Sequence, residues 1–264
     1  MFNISVKQKE FLKQLLLWGA IIAMVSLWVI AIQRTEDLFI ADIKIQLDKE
    51  DGIRDLITPK DIRHMVEKGL PNDIKMQPIH ELQIAKIEEM LRSDTRIYSA
   101  EVFIDVQQNL HIEIVQRRPI MRVMNKQGDQ FYIDQTGEFV AQSSYRAVRV
   151  PVVTGHIESL KPNELISPKS KLFKAFTIVN QIRKDEFLSA LVEQVYFEKG
   201  DRIILIPKVG EEKIVLDHID DLQGKLRNLK VYYKEVAKSN SWGKYDEIDI
   251  SYRKQVIGRN PVTP

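Results

Sequence analysis

From Leu15 to Ile32 the chain runs for eighteen residues, LLLWGAIIAMVSLWVIAI, without a charge. A segment this apolar has few places to go. Inside a bilayer every backbone N–H and C=O must be bonded within the segment itself, which leaves a helix. At about 1.5 Å per residue the run covers roughly 27 Å, close to the hydrocarbon thickness of a membrane. Trp18 and Trp28 stand near its two ends, where indole prefers the headgroup boundary. Lys7, Lys9 and Lys13 precede it, and Arg34, Glu36 and Asp37 follow. The basic excess on the N-terminal side predicts a cytoplasmic tail over 1–14 and a transmembrane helix over 15–33, with the rest outside. A buried core helix rarely tolerates an apolar stretch with no polar face. A cleaved leader would have a shorter apolar region and a small-x-small site, so the run reads as an uncleaved, single-pass anchor in the cytoplasmic (inner) membrane.

The remaining sequence reads as folded protein with little sign of chemistry. Its 39 basic and 37 acidic residues are spread along the chain and leave a formal charge of +2. No basic block follows a phosphate backbone, so nucleic acid is not an expected partner. There are no cysteines, which excludes disulfides and thiolate-bound zinc. The five histidines, His64, His80, His111, His156 and His218, lack the HxxxH and HExxH spacings of metal sites. No Gly-x-Ser-x-Gly, no phosphate-cradling glycine loop and no Ser-x-x-Lys near a triad-like partner is present. The expectation is a non-enzyme with no catalytic residue, metal, cofactor or small-molecule substrate.

Residues 38–117 form a first predicted domain. Ile43, Ile45 and Leu47 alternate with polar residues as a strand does. Thr58-Pro59-Lys60-Asp61 opens a helix with Ile62, Met65, Val66 and Leu70 on one stripe, ended by Gly69 and Pro71. A second helix is predicted from Ile79 to Arg92, burying Ile84, Ile87 and Leu91 and pairing Glu88 with Arg92. Ala100, Val102, Ile104 and Val106, then Leu110, Ile112 and Ile114, alternate about Gln107-Gln108-Asn109 as a β-hairpin. The order is β-α-α-β-β, with two helices on one face of a small sheet. Gly52, like Gly69, reads as a turn residue.

Turn signals multiply after Pro119, and a second domain is predicted over 118–258, followed by a polar tail at 259–264. Strands at Met121–Met124 and Gln130–Ile133 flank a turn, Asp134-Gln135-Thr136-Gly137 turns again, and Pro151–Gly155 is a short strand. Ser167-Pro168 opens a helix with Leu172, Phe176, Val179 and Ile182 on its stripe. Strands near 195–197, 202–206 and 213–216 come next. A helix from about Ile219 to Lys238 buries Leu222, Leu226, Leu229, Tyr233 and Val236, and 239–243 breaks it. Ile248, Ile250 and Tyr252 then alternate against Asp249, Ser251 and Arg253 as one last strand. The fold class is α+β, a mainly antiparallel sheet with two helices behind the first domain.

This order of segments resembles the FtsQ/DivIB family of bacterial cell-division proteins over essentially the whole chain. The first domain looks like the family's POTRA module. The most specific stretch is Tyr98-Ser99-Ala100-Glu101-Val102, then Asn109–Ile114, then Gln116-Arg117-Arg118-Pro119, similar to a family run ending in Glu-Arg-x-Pro. Tyr132-Ile133-Asp134 with Gly137, Pro151-Val152-Val153-Thr154-Gly155 and Asp249-Ile250-Ser251-Tyr252 match in order. Gln116 stands where the family usually has Glu, and Ser251 where it usually has Arg.

The resemblance implies a scaffold without catalytic activity. Such proteins act at the division septum, bind bitopic partners of the FtsB/DivIC and FtsL types outside the membrane, and help control septal peptidoglycan synthesis. It also implies that the C-terminal strand is the docking edge: Asp249, Ile250, Ser251, Tyr252, Arg253, Lys254, Gln255, Val256 and Ile257. An exposed strand edge offers unpaired backbone donors and acceptors to an incoming segment, and alternate side chains select it. Two other classes compete. A POTRA-containing extracytoplasmic chaperone or transport adaptor would, in its outer-membrane forms, continue into barrel strands, whereas this sequence closes on a polar tail at Pro264. A peptidoglycan-binding module would use Trp242 and Tyr245 as sugar-stacking aromatics.

Overall fold

The computed structural model describes residues 6–36, 38–48, 55–70, 73–143, 147–239 and 243–260. The sequence readings at residues 1–5, Asp37, Gly52, Pro71, Trp242 and beyond Asn260 lie outside the described residues. Helix α1 (Val6–Glu36) carries the apolar run, and its window Lys13–Ile30 is 0% buried by protein. Apolar side chains with no protein to pack against fit a lipid environment. Among the described residues it is the one helix long and apolar enough to cross a membrane.

The chain folds into two compact units, the first made of Met1–Leu47, Pro59–Arg92 and Ala100–Ile114, the second of Asp48–Thr58, Ser93–Ser99 and Val115–Pro264. In the first, β1 (Asp42–Leu47), α2 (Pro59–Gly69), α3 (Ile84–Arg92), β2 (Ile97–Ile104) and β3 (Asn109–Gln116) follow in the expected order. The sheet runs β1-β3-β2, with β1 parallel to β3. Ile43, Leu47, Ala100, Val102, Leu110, Ile112 and Ile114 are buried, as are Ile62 and Val66 of α2 and Ile87 and Leu91 of α3. Glu88 meets Arg92 at 3.5 Å and also accepts the Val102 N–H at 3.0 Å, which ties α3 to β2.

Two expectations need correction here. The helix predicted over 79–92 is a 3₁₀ turn at Ile79–Glu81 followed by α3. Leu82 leaves that turn in an extended conformation (φ −71°, ψ 118°), which interrupts the run before α3, and the Ile79 N–H ties the turn to the incoming chain through the Leu38 carbonyl at 2.8 Å. The strand predicted through Val106 stops at Ile104. The Asp105 carboxylate accepts the N–H groups of Gln107 (2.8 Å) and Asn109 (2.9 Å), so the chain turns there. Hydrogen bonds from Asn109, foremost its side-chain amide, hold the Asp105 carboxyl well below the usual range.

The second unit is one nine-stranded sheet. Its strands are β4 (Pro119–Asn125), β5 (Gln130–Asp134), β6 (Phe139–Val140), β7 (Val152–Gly155), β8 (Val192–Phe197), β9 (Ile203–Pro207), β10 (Lys213–Leu216), β11 (Glu247–Asp249) and β12 (Ile257–Arg259). They lie in the order β12-β11-β10-β9-β8-β7-β4-β5-β6. Most neighbours are antiparallel, but β4–β7, β7–β8 and β10–β11 are parallel. Parallel neighbours need long crossovers. Helices α4 (Lys171–Arg183) and α5 (Glu186–Leu191) carry the chain from β7 to β8, and α6 (Leu222–Ser239) from β10 to β11.

The sequence reading named two helices; α5 is a short third, capped by Asp185, whose carboxylate accepts the Leu188 N–H. Helix α4 starts at Lys171 and not at Ser167-Pro168, because Ser170 takes the cap by accepting the Phe173 N–H at 3.0 Å. Leu172, Ala175, Ile178, Val179 and Ile182 of α4 and Leu226, Leu229 and Tyr233 of α6 share one core with Val195, Leu205, Ile214, Ile248 and Ile250. Gly155 closes β7 at φ +96°, and a side chain there would overlap the Phe197 carbonyl that accepts the His156 N–H.

Three stretches that carried the family resemblance meet where the long sheet begins. Arg117 donates to Asp134 at 2.8 Å and lies over the Tyr98 ring at 5.7 Å. Asp134 is only 2% exposed and also accepts from Thr136 and the Glu138 N–H. Next to Arg117, the Gln116 Oε1 accepts the N–H groups of Leu56 and Ile57, while its amide donates to Asp55 at 3.1 Å. A Gln can both accept and donate in this place, whereas a Glu would face Asp55 with like charge. Replacing Arg117 by Leu is expected to cost about 3 kcal/mol, since it strips the ionic partner from a buried carboxylate. Chemical unfolding of the two proteins measures the difference.

Candidate functional site

The C-terminal end of the long sheet is a hairpin. β11 lies parallel to β10 and antiparallel to β12, in the register Glu247↔Arg259, Ile248↔Gly258 and Asp249↔Ile257. This replaces the single strand predicted through Tyr252. β11 ends at Asp249 because the Asp249 Oδ1 accepts the Ser251 N–H at 2.9 Å, an Asx turn that lifts the chain out of the ladder. Ile250 still donates its N–H to the Val215 carbonyl at 3.0 Å, and the chain then turns through Tyr252–Lys254.

The second oxygen of Asp249 accepts from Arg259 on β12 at 2.6 Å. One carboxylate, 3% exposed, therefore organises both the turn and the return strand. Two residues earlier on β11, Glu247 accepts two bonds at 3.0 Å from Arg202, just before β9. On the opposite face Ile248 and Ile250 enter the core beneath α6. Gly258 stands on that face too, and a side chain there would run into the ring of Tyr245. Tyr245 itself packs partly buried against the core, with Lys244 5.3 Å from its ring centre.

Helix α6 and the loop before it hold the turn. Asn228 donates to the Arg253 carbonyl at 3.0 Å, and the Ser251 Oγ accepts the Asp217 N–H at 3.2 Å. The Lys225 ammonium, 1% exposed, donates to the His218 carbonyl and to Asp220, and its hydrogen bond keeps the Asp220 carboxyl below its usual range. Asp220 in turn reaches Arg253 at 4.0 Å.

The nine residues expected at a docking edge thus fall into distinct places. Asp249 and Ile250 are buried. Ser251, Val256 and Ile257 are half-buried, and Arg253, Lys254 and Gln255 are exposed. Tyr252 is 48% exposed and so is not the core residue its alternation suggested. The outermost strand is β12, and among the described residues no strand lies beyond it. Sequence reasoning missed β12, Gly258 and Arg259. The signal was present: Asp249-x-Ser251 is an Asx-turn pattern that ends a strand, and the apolar Val256-Ile257 pair restarts one.

The far edge of the sheet differs. β6 has two residues, Val140 is fully buried, and the following Ala141 N–H is already taken by the Thr95 Oγ1 at 3.0 Å. Among the described residues no group of three or more His, Asp or Glu could hold a metal ion. Among the described residues the two edges therefore differ: no strand pairs with the outer side of β12, whereas the chain after β6 is already bonded.

Comparison with known proteins agrees with that architecture. A family model described as POTRA-like domain matches residues 41–115. No curated protein matches the sequence. A second family model, described as FtsQ/DivIB, C-terminal related, matches residues 118–259, more than half of the chain and the whole of the long sheet. The chain belongs to the FtsQ/DivIB family of bacterial cell-division proteins.

Proposed function

We propose that this chain is a non-enzymatic, bitopic scaffold of the division complex. It takes a β-segment from FtsB/DivIC-type and FtsL-type partners onto β12 and so helps control septal peptidoglycan synthesis. The observation that carries the reading is that, among the described residues, no strand pairs with the outer side of β12, and that Tyr252 in the turn leading to it is exposed. A strand edge binds mainly through backbone groups, and a neighbouring aromatic supplies a rigid contact. Ser251, Tyr252, Arg253, Lys254, Gln255, Val256 and Ile257 would line the contact. Asp249 and Ile250 would act from inside, as residues that position the hairpin. Arg259, outside the nine named from sequence, joins the edge through its bond to Asp249.

In this reading α1 spans the cytoplasmic membrane with the N-terminus in the cytoplasm and both folded units outside, at the septum. Lys7, Lys9 and Lys13 support that orientation. A periplasm-active reporter fused after Arg34 is expected to be active, and activity of a cytoplasm-specific reporter at the same point would reverse the topology.

Photoreactive residues at Tyr252, Ile257 and Arg259 in intact membranes are expected to capture the FtsB/DivIC-type protein, while the same residue at Gln135, beside the other edge, captures none. Capture from Gln135 alone would move the site. Tyr252→Ala is expected to weaken binding of the purified partner ectodomain by about 2 kcal/mol, roughly 30-fold, with an unchanged melting temperature. Asp249→Ala should also weaken binding, but with a loss of about 2 kcal/mol in stability, because the hairpin itself loosens.

A further inference from the structure

The first unit leaves a set of apolar side chains in water at one end, the end where the chain emerges from α1. Val106 is 98% exposed and Met76 76%, and Leu38 and Phe39 are also exposed. Single exposed apolar residues are ordinary on a protein surface. These four come from three separate segments, and backbone bonds hold the segments side by side.

The Ala41 N–H donates to the Gln108 carbonyl at 2.9 Å, so the tip of the β2–β3 hairpin lies level with the chain just ahead of β1. Asp42 stands opposite Asn109 in the ladder that follows. On the other segment, the Ile79 N–H donates to the Leu38 carbonyl at 2.8 Å, and Phe39 forms an antiparallel bridge with Pro78. Lys75 meets Asp42 at 3.5 Å, and Met76 lies two residues before the bridged Pro78, so it stands near the same level.

Covalent geometry places this end beside a bilayer. The apolar window ends at Ile30 and α1 continues to Glu36, which adds about 9 Å of helix at 1.5 Å per residue. The headgroup layer on one side of a membrane is about 5–7 Å deep. From Glu36 to Phe39 the chain can extend no more than about 10 Å. Any group level with Leu38–Ala41 therefore stays within a short reach of the lipid headgroups. A contact held this close is intramolecular in effect, so even a small apolar surface can stay engaged.

We infer that this end of the first unit is a lipid-docking surface, with Val106 at the hairpin tip, Met76 and Phe39 entering the interfacial layer of the membrane that α1 crosses. The inference rests on the membrane-spanning reading of α1 but not on its orientation. It gives the first unit a role of its own: its sheet stands on the membrane, tip down, instead of swinging freely on a tether.

The absence of cysteine in the natural sequence makes the test direct. Three single-cysteine variants of the full chain, Val106→Cys, Gln46→Cys and Met24→Cys, each carry an environment-sensitive NBD fluorophore. Each is reconstituted in vesicles of phosphatidylcholine and phosphatidylglycerol that contain nitroxide-labelled phosphatidylcholine. Val106 and Gln46 are exposed, at opposite ends of the first sheet, so neither label disturbs the core. The expected result is strong quenching and a blue shift at position 106 by the headgroup nitroxide, little change at 46, and quenching at 24 by an acyl-chain nitroxide. With position 24 quenched, an unquenched position 106, or equal quenching at 106 and 46, overturns the docking surface and leaves the anchor standing. An unquenched position 24 overturns the spanning reading on which the inference rests.

Discussion

The contact between Arg117 and Asp134 fixes the start of the long sheet. It joins Arg117, two residues ahead of β4, to the last residue of β5, at a carboxylate that water scarcely reaches. A buried anion of this kind needs a cation and several donors at once, and Asp134 has both. With β4 and β5 set, β7 adds parallel to β4, and the α4–α5 crossover places β8 beside it. Each later strand takes its position from the one before. The sheet is built outward from this corner to β12, and the candidate docking edge inherits its geometry from it.

At the far end the problem is reversed. A sheet edge is a risk of unwanted pairing, and proteins usually shorten it, charge it or cover it. At β6 the edge is short, and its next N–H is already bonded. At β12 the hairpin is held firmly from within, by Asp249, Glu247 and the bonds from α6, yet among the described residues no strand pairs with its outer side. Rigid support beneath an unpaired strand is the arrangement that strand addition requires. It keeps the entropy of ordering the edge from opposing the partner.

Much of this was legible in the sequence, for physical reasons that differ by region. The apolar helix α1 is readable because eighteen residues run without a charge, and the helix leaves that window unburied by protein. Helices α2 and α6 are readable because Ile62 with Val66, and Leu222, Leu226, Leu229 with Tyr233, repeat at helical spacing and are buried as that spacing requires. The alternation of Ile248, Ile250 and Tyr252 misled, since a local period cannot report that a carboxylate turns back on Ser251 and ends the strand. Val106 misled in the same way, with Asp105 ending β2. The meeting of Tyr98, Arg117 and Asp134 was beyond sequence reading, because partners 17 or more residues apart are set by topology and not by period. The resemblance pointed to the C-terminal segment but not to which of its residues face inward.

The central claim is that a partner strand pairs with β12. Residue-resolved amide hydrogen exchange of the two folded units tests it most directly, with and without a purified FtsB/DivIC-type ectodomain. The account predicts that the partner slows exchange at the amides of Ile257–Arg259 while those of Phe139 and Val140 keep their free rates. Unchanged exchange along β12 in a complex that demonstrably forms would contradict it.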